Sequence, residues 1–200
     1  GISPTFVAGS LDGPTSRTIH LRVVDDQGED DETSAVITID NVDPKVTVDN
    51  ATVTVNEGAT ATNTGTFVDP IDAVTLTASV GTVIDTGGGT WSWSFNTNDG
   101  PDDSQTVTIT ATDDDGDSAD VTFDLVVDNV APTVAADNAA VTVDEGATAG
   151  NTGTFSDPGD DTVTLTASVG TVTDTGGGTW SWSCDTNDGP DDRQTVGRTA

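Results

Sequence analysis

Acidic residues cluster in this chain, and clustered carboxylates are ligands for a hard cation. One run is Asp113-Asp-Asp-Gly-Asp117 and a second is Asn98-Asp-Gly-Pro-Asp-Asp103; two shorter segments are Asp40-Asn41-Val42-Asp43 and Asp128-Asn129. The chain has 35 Asp and Glu residues against 5 Lys and Arg, so salt bridges cannot neutralise carboxylates that lie close together. Calcium can, because it takes about six to eight carboxylate, amide and backbone oxygens in a flexible geometry.

The residue types restrict which metal could bind, but they leave a metal-free alternative open. The chain has one His and one Cys, which argues against zinc and copper sites. The run at Asp113 is too compressed for an EF-hand, and no Glu follows at the required position. The alternative is a solvated acidic surface that keeps the protein soluble, with Asp-Gly pairs forming turns.

An internal repeat organises the elements that must position these acids. Residues 75–83 return letter for letter at 164–172, and residues 85–94 return at 174–183, so the period is 88 or 89 residues. The sequence therefore predicts three parts: 1–43 is the C-terminal part of a first repeat, 44–131 is a complete repeat, and 132–200 is the N-terminal part of a third.

Each repeat reads as short strands. Apolar Val, Ile, Leu and Phe alternate with Thr and Ser, and Gly, Asn, Asp and Pro clusters fall every 8 to 12 residues or so. The prediction is an all-β fold of tandem immunoglobulin-like Greek-key β-sandwiches of about 88 residues, each with about seven strands. In that topology the 113–117 loop faces the arriving linker at 40–43. The 98–103 loop and Glu57 lie beside the departing linker at 128–129.

The strand that ends at Asp113 and the linker that follows it resemble a known family. Residues 107–116 and 119–132 look like the end of a bacterial polycystic-kidney-disease (PKD)-type repeat. They are also similar to cadherin-like repeats, whose Ala-x-Asp strand end and Asp-Asn-x-Pro linker bind calcium at each junction. The resemblance covers the chain in register and implies a secreted or surface-anchored bacterial protein.

The resemblance also assigns roles to single residues. Asp113 matches the Ala-x-Asp acid, Asp128 and Asn129 match the linker, and Glu57 matches the acid of the first strand. Asp102 with Asp103 takes the place of the mid-domain acidic pair. With the other residues of the linkers and of the 113–117 loop added, the predicted calcium ligands are Asp40, Asn41, Asp43, Glu57, Asp102, Asp103, Asp113, Asp115, Asp117, Asp128 and Asn129.

Two other motifs have competing interpretations. Trp91 and Trp93 share a face of one strand, as do Trp180 and Trp182, and such a stripe either stacks on sugar rings or fills a sandwich core. The core is the favoured interpretation. Asp85-Thr-Gly, with its repeat at residue 174, matches the loops of aspartic proteases, but tandem domains would hold the two copies apart. The Gly-Gly-Gly tract that follows indicates a hairpin turn.

The charge restricts the partners. A formal net charge of −30 excludes nucleic-acid binding through phosphates. The sequence has no run of about 18 apolar residues, so we expect no membrane insertion. The sequence predicts a non-catalytic extracellular or cell-surface spacer or adhesive stalk with calcium at its junctions. A carbohydrate-binding module of a secreted enzyme and a metal-free passive linker are the alternatives. Candidate partners are neighbouring repeats, surface glycans and other cell-surface proteins; the leading hairpin could also donate strands to a neighbour in head-to-tail self-assembly.

Overall fold

Strands form the regular structure of the described part of the chain. The computed structural model describes residues 5, 7, 9, 11–187 and 198–199. Alternating β-branched residues favour extended backbone, and 16 strands form. The all-β fold predicted from the sequence is confirmed. Among the described residues, none belongs to a helix long and apolar enough to cross a bilayer.

The chain divides into two compact units, each of which contains one linker between repeats. Residues of the central repeat belong to both units, and the repeat boundaries assigned from the sequence stay a prediction. The first unit comprises Gly1–Val53, Thr62–Phe95 and Thr106–Asp124, and the second comprises Thr54–Ala61, Asn96–Gln105 and Leu125–Ala200.

The first element is an antiparallel hairpin of two long strands. Strand β1 (Thr15–Val24) pairs with β2 (Asp30–Ile39), with Thr15 opposite Ile39 and Val24 opposite Asp30. By the sequence repeat, this hairpin corresponds to the last two strands of the central repeat.

The central repeat forms two four-stranded sheets with the strand order of the immunoglobulin fold. Lettered A, A′ and B to G in chain order, its eight strands give the sheets A-B-E-D and A′-G-F-C, or β3-β5-β8-β7 and β4-β10-β9-β6. The strands are β3 (Lys45–Val48), β4 (Thr52–Asn56), β5 (Thr60–Val68), β6 (Thr75–Ala78), β7 (Thr82–Gly87), β8 (Thr90–Asn96), β9 (Gln105–Thr112) and β10 (Ser118–Asp128).

The repeat has eight strands where the sequence predicted about seven, because the first strand is divided between the sheets. β3 pairs with β5, and β4 lies beside β10 in the other sheet. Asn63, 2% exposed, holds the crossing: its amide nitrogen donates to the Asn50 carbonyl at 2.9 Å, and its side-chain oxygen accepts from Asn50 Nδ2 at 3.1 Å. A buried amide satisfied in this way fixes where the chain changes sheets.

Tryptophans fill the core of the central repeat, as the sequence predicted. Trp91 and Trp93 are each 1% exposed, and the Trp93 ring meets Phe123 of the opposite sheet edge-on, with centroids 4.9 Å apart. Their indole nitrogens donate to the carbonyl oxygens of Thr47 at 3.1 Å and Val80 at 2.7 Å. Buried indole N–H groups need such partners, and the burial removes these two rings from solvent.

The Asp-Thr-Gly motif forms a hairpin turn, as the glycine tract indicated. Asp85 Oδ1 accepts the Gly87 N–H at 2.7 Å between β7 and β8. Gly87, Gly88 and Gly89 have φ of 90°, 66° and 76°, which side chains larger than hydrogen rarely adopt. The second copy makes the same contact at Asp174.

The third repeat reproduces the A-B-E-D sheet as β11-β12-β15-β14, and two short strands, β13 and β16, pair separately. Residues 188–197, which correspond to 99–108 of the central repeat, lie outside the described residues. The strands are β11 (Thr133–Ala136), β12 (Thr148–Ser156), β13 (Thr166–Ala167), β14 (Thr171–Gly176), β15 (Thr179–Asp185) and β16 (Arg198–Thr199).

We predict that Gly65→Ala destabilises the first unit by about 1–3 kcal/mol. The added β-carbon would meet the Thr47 carbonyl oxygen and lie 2.5 Å from the buried Trp91 ring, and neither can move freely. In Gly150→Ala the nearest atom is the Trp182 carbonyl oxygen at 3.6 Å, an ordinary contact. Urea unfolding followed by Trp fluorescence should separate the two variants, and equal losses would show that the clash is relieved.

Candidate metal centres

The loop between β9 and β10 presents a carboxylate that is 5% exposed, that of Asp113. The loop closes with the Asp113 N–H donating to the Asp117 carbonyl at 3.0 Å. Asp113 Oδ1 then accepts the N–H groups of Gly116 and Asp117, both at 2.8 Å. The sequence Asp-x-x-Gly-Asp forms this turn because Gly116 takes φ of 100°.

The linker between the first two repeats meets this loop, as the sequence predicted. Asn41 Nδ2 donates to Asp113 Oδ2 at 2.8 Å and to Asp117 Oδ2 at 3.0 Å. Gly13 packs so closely on the linker that a β-carbon there would lie 2.6 Å from the Asp40 carbonyl. A neutral amide thus bridges two carboxylates of the next repeat.

The loop between β5 and β6 adds two acids to the first junction. Asp69 Oδ1 accepts the N–H groups of Ile71 at 3.0 Å and Asp72 at 2.8 Å, whereas Asp69 Oδ2 is buried without a hydrogen-bond partner. One carboxylate oxygen from each of Asp69, Asp72 and Asp113 lies within 4.8 Å of the other two. These three residues define centre 1.

Asp72 also belongs to a second group at the same junction. Oxygens of Asp12, Asp72 and Asp115 lie within 4.8 Å of one another, and these residues define centre 2. The ion pairs found among the described residues, Arg22–Asp30 and His20–Glu32, both lie on the β1–β2 hairpin. The acids of centres 1 and 2 are thus gathered without a basic side chain between them.

In the second unit, Glu57 ties the departing linker to the loop after β8. It is 3% exposed; its Oε2 accepts the Gly100 N–H at 2.9 Å and its Oε1 accepts the Val130 N–H at 2.7 Å. Its own N–H donates to the Asp128 carbonyl at 2.9 Å. This confirms that Glu57 and the 98–103 loop lie beside the departing linker.

Glu57 forms the third group, centre 3, with Asp99 and Asp161, whose oxygens lie within 4.8 Å of one another. With its amide nitrogen turned toward these acids, Asn129 donates to Asp161 Oδ2 at 2.6 Å and lies 3.3 Å from both Glu57 oxygens. With its amide oxygen turned there, Asn129 adds a further oxygen to the group. Asp157 Oδ2, nearby in sequence, is buried without a partner, as is Asp69 Oδ2 in the first unit.

The predicted ligands thus fall into four sets. Glu57, Asp113 and Asp115 belong to the centres, and Asn41, Asn129 and Asp117 contact the acids of the centres. Asp103 Oδ2 is occupied by the N–H groups of Asn98 and Asp99 at 2.7 and 3.1 Å, and Asp128 contributes its carbonyl, so these two shape the loops. Asp40, Asp43 and Asp102 are exposed and belong to none of the three centres.

Five acids of the centres were not predicted: Asp12, Asp69, Asp72, Asp99 and Asp161. Two sequence signals could have identified them. Asp-Pro recurs at 69–70 and 157–158, with an acid two to three residues on, and Asp-Gly-Pro recurs at 12–14 and 99–101. In an immunoglobulin-like sandwich the B–C and F–G loops share one end, so the acids after β5 must meet the 113–117 loop.

Burial and the neighbouring carboxylates raise the pKa of four acids of the centres. Burial, followed by a hydrogen bond that the protonated Asp72 donates to Asp12 and by repulsion from Asp12, Asp69 and Asp114, raises the pKa of Asp72 from 3.8 to about 6. Burial, and then repulsion by Asp12 and the other acids of its loop, raises the pKa of Asp115.

The second unit behaves in the same way. Burial comes first and raises the pKa of Asp99 and Asp161, and repulsion from the surrounding carboxylates, Glu57 among them, raises both further. Asp113 is the opposite case. Its burial alone would raise its pKa, but the donors Asn41, Asp117 and Gly116 outweigh burial, and the pKa is lowered.

We predict that Glu57→Gln destabilises the second unit by about 1.5–3 kcal/mol, because the variant loses a charge-assisted acceptor at one of two buried N–H groups. The counterpart Glu145 is exposed, and Glu145→Gln is the matched control. The measurement is urea unfolding in EDTA, which separates this hydrogen-bonding role from any metal. Equal stability of the two variants would contradict it.

The metal-free chain should gain stability when the pH falls from about 7 to about 5. A folded pKa of about 6 for Asp72 means that the folded state binds this proton more tightly, so stability falls as the pH rises from about 4 to about 6. The contribution of Asp113 to stability has the opposite sign, because its pKa is lowered in the folded state. That contribution is lost only at lower pH, where Asp113 takes up its proton. In EDTA, the melting temperature of the wild-type chain should rise as the pH falls from about 7 to about 5, and that of Asp72→Asn should rise less. A fall in the wild-type chain would contradict the assignment.

The comparisons with known proteins do not assign the chain to a family. No protein-family model matches it, and no curated protein matches it. Among solved structures it is similar to the Yersinia pseudotuberculosis adhesin InvE (17% identity, TM-score 0.34, 72% of this chain and 51% of that one). It is also similar to protocadherin gamma B2 extracellular cadherin domains 3–6 (16% identity, TM-score 0.39, 86% of this chain and 49% of that one).

A third likeness is to the endo-fucoidan hydrolase MfFcnA4 of glycoside hydrolase family 107 (15% identity, TM-score 0.40, 88% of this chain and 30% of that one). The chain therefore spans about half of the adhesin and of the protocadherin, and under a third of the hydrolase. The immunoglobulin-like assignment rests on the strand order, and the PKD-type and cadherin-like resemblance stays a prediction.

Proposed function

We propose that this chain is a non-catalytic stretch of tandem β-sandwich repeats that acts as an extracellular spacer or adhesive stalk whose junctions are stiffened by calcium. The observation that carries the proposal is the convergence of acids at the linkers. At the first junction Asp12 and Asn41 precede the central repeat, while Asp69, Asp72 and Asp113 belong to its loops.

The chemistry of the donors favours calcium. Every side chain of the three centres offers carboxylate oxygen, and the neighbouring linker residues add amide groups. Calcium prefers such oxygen donors, whereas zinc and copper favour the imidazole and thiolate groups that these centres lack. Two buried carboxylate oxygens, Asp69 Oδ2 and Asp157 Oδ2, have no protein donor, and a cation would satisfy them.

A cation held at these places would stiffen the chain by a simple linkage. At centres 2 and 3 the acids come from both sides of a linker, so a cation there would bind the folded junction and not the unfolded chain. Binding to the folded state alone stabilises it by about 2.7 kcal/mol when the free ion is a hundredfold above its Kd. Extracellular modules bind calcium at about 0.1–1 mM, which fits an extracellular position.

The sugar-binding alternative has less support. It needed the aromatic stripe to face solvent, and Trp91 and Trp93 are each 1% exposed beneath the opposite sheet. The metal-free linker alternative predicts that the acids merely solvate the surface, and the calcium titration below distinguishes it.

Calcium should bind the wild-type chain and raise its melting temperature, and EDTA should reverse the rise. Asp72→Asn removes the acid that centres 1 and 2 share and should weaken binding at the first junction by about tenfold or more, because affinity follows the charge of the ligands. Asp43→Asn removes an equal charge from an exposed linker position outside the centres and should bind as the wild type does.

The measurement is calorimetric titration of the full chain with calcium chloride, paired with thermal melts. Equal binding by the two variants would mean that calcium is held elsewhere. No heat and no change in melting temperature would favour the metal-free linker.

A further inference from the structure

One face of the central repeat carries no carboxylate although the chain has a net charge of −30. This is the outer face of the A-B-E-D sheet, which is formed in the first unit by alternate residues of β3, β5, β7 and β8. Its positions are Thr and Ser, apart from Lys45, Val68 and Ile84. Asp85 of β7 is opposite Trp91 and therefore belongs to the other side of the sheet. We call this surface the acid-free face.

The other sheet of the same repeat does carry acids on its outer face. Asp120 and Asp124 of β10 are exposed there. They accept the hydroxyl groups of Thr110 at 2.6 Å and Thr106 at 3.0 Å. Both outer faces are rich in threonine, which suits any exposed strand. Strand propensity therefore does not explain why only one of the two faces lacks acids.

The acid-free face also exposes apolar side chains. Val68 and Ile84 are 57% and 56% exposed, and the only other large apolar side chain so exposed among the described residues of the central repeat is Ile71. In the third repeat the counterparts of Val68 and Ile84 are Ser156 and Thr173. The apolar side chains are thus a property of the central repeat and not of the repeated fold.

We propose that the acid-free face docks on the same face of a second copy of this chain. Charge selects this occupant, because two strongly acidic chains repel each other wherever both present carboxylates. Of the two outer sheet faces of the central repeat, only this one lets a second copy approach without that repulsion. Val68, Ile84 and the methyl groups of the threonines provide the apolar area that such a contact buries. The contact needs no cation and goes beyond the proposed function.

The charges at the rim of the face determine the orientation of the second copy. Lys45, at the start of β3, is exposed, and no ion pair of Lys45 is found among the described residues. Asp49 follows the end of β3, and its Oδ2 accepts the Thr64 hydroxyl at 2.5 Å. The two residues lie roughly 13 Å apart along the strand direction, with Thr47 midway. A two-fold axis at Thr47 would set the two β3 strands antiparallel and bring each Lys45 to Asp49 of the second copy.

The size of the face predicts a weak dimer. Four strands about 4.8 Å apart and about six residues long cover roughly 400 Å² on each copy. The roughly 800 Å² buried in total is less than stable protein complexes bury. We therefore expect a Kd of about 0.1–1 mM.

The experiment is sedimentation equilibrium of the full chain in EDTA and about 0.15 M sodium chloride, up to about 1 mM protein. The average mass of the wild type should rise toward that of a dimer. Thr62→Asp puts a carboxylate in the acid-free face and should weaken association by about tenfold or more. Thr77→Asp makes the same change at an exposed position of β6, on the outer face of the other sheet, and should associate as the wild type does. Thermal melts of both variants verify that each is folded.

Two further variants test the orientation. Lys45→Glu should weaken association by about tenfold, and adding Asp49→Lys should restore it, because the exchanged charges pair again across the axis. In a Cys184→Ser background, Thr47→Cys places a thiol on the two-fold axis. A short bifunctional maleimide should then link Thr47→Cys chains into dimers, and should link Thr77→Cys chains much more slowly.

A wild-type chain that stays monomeric at about 1 mM would overturn the proposal, as would equal association of Thr62→Asp and Thr77→Asp. A monomeric chain that binds dextran, and loses that binding in Thr62→Asp, would assign the face to a neutral glycan instead. Failure of Asp49→Lys to restore association, or equal cross-linking of the two cysteine variants, would overturn the antiparallel arrangement. Because the measurement is made in EDTA, none of these outcomes depends on calcium at the junctions.

Discussion

Repulsion between carboxylates at the linkers is the constraint on which this structure depends. Three groups of acids hold oxygens within 4.8 Å of one another, and no basic side chain is described among them. Backbone N–H groups of the loops and amides of the linkers donate to some of these carboxylates and stabilise their charge. Asp113 accepts from three such donors and has a lowered pKa, whereas Asp72, which is surrounded by acids, has a raised pKa. The charge that remains is what a divalent cation would neutralise.

The core of the central repeat holds in place the strands that carry these acidic loops. Trp91 and Trp93 each bury a large ring and bond their indole nitrogens to backbone carbonyls, so the strands that carry the loops cannot shift freely. Asn63 fixes the crossing of the first strand between sheets. The central repeat thus carries acids of all three centres on loops that its core holds in place.

The same core joins the two sheets of the central repeat. Its A-B-E-D sheet meets the last hairpin where the Trp93 ring packs edge-on against Phe123. Burial of apolar area is non-directional, so the register of the strands comes from their hydrogen-bonded edges. The tip of the β1–β2 hairpin closes as the 113–117 loop does, because in each the aspartate N–H donates to the carbonyl four residues on.

The sequence alone determined the all-β class, the Trp core, the Gly-Gly-Gly hairpin turns and the meeting of Asn41 with the 113–117 loop. Alternation, turn residues and a near-exact repeat are local signals, and the order of strands in a Greek key then says which loops share an end. The strand order predicts that the loop after β5 and the 113–117 loop share an end, but only the tertiary structure showed that Asp69 and Asp72 lie beside Asp113 and that Asp40 and Asp43 stay exposed. The reason is that a carboxylate's neighbours depend on how loops distant in sequence close, which residue types alone do not specify. The division of the first strand was likewise decided by a buried amide, Asn63, whose partner lies 13 residues away in sequence.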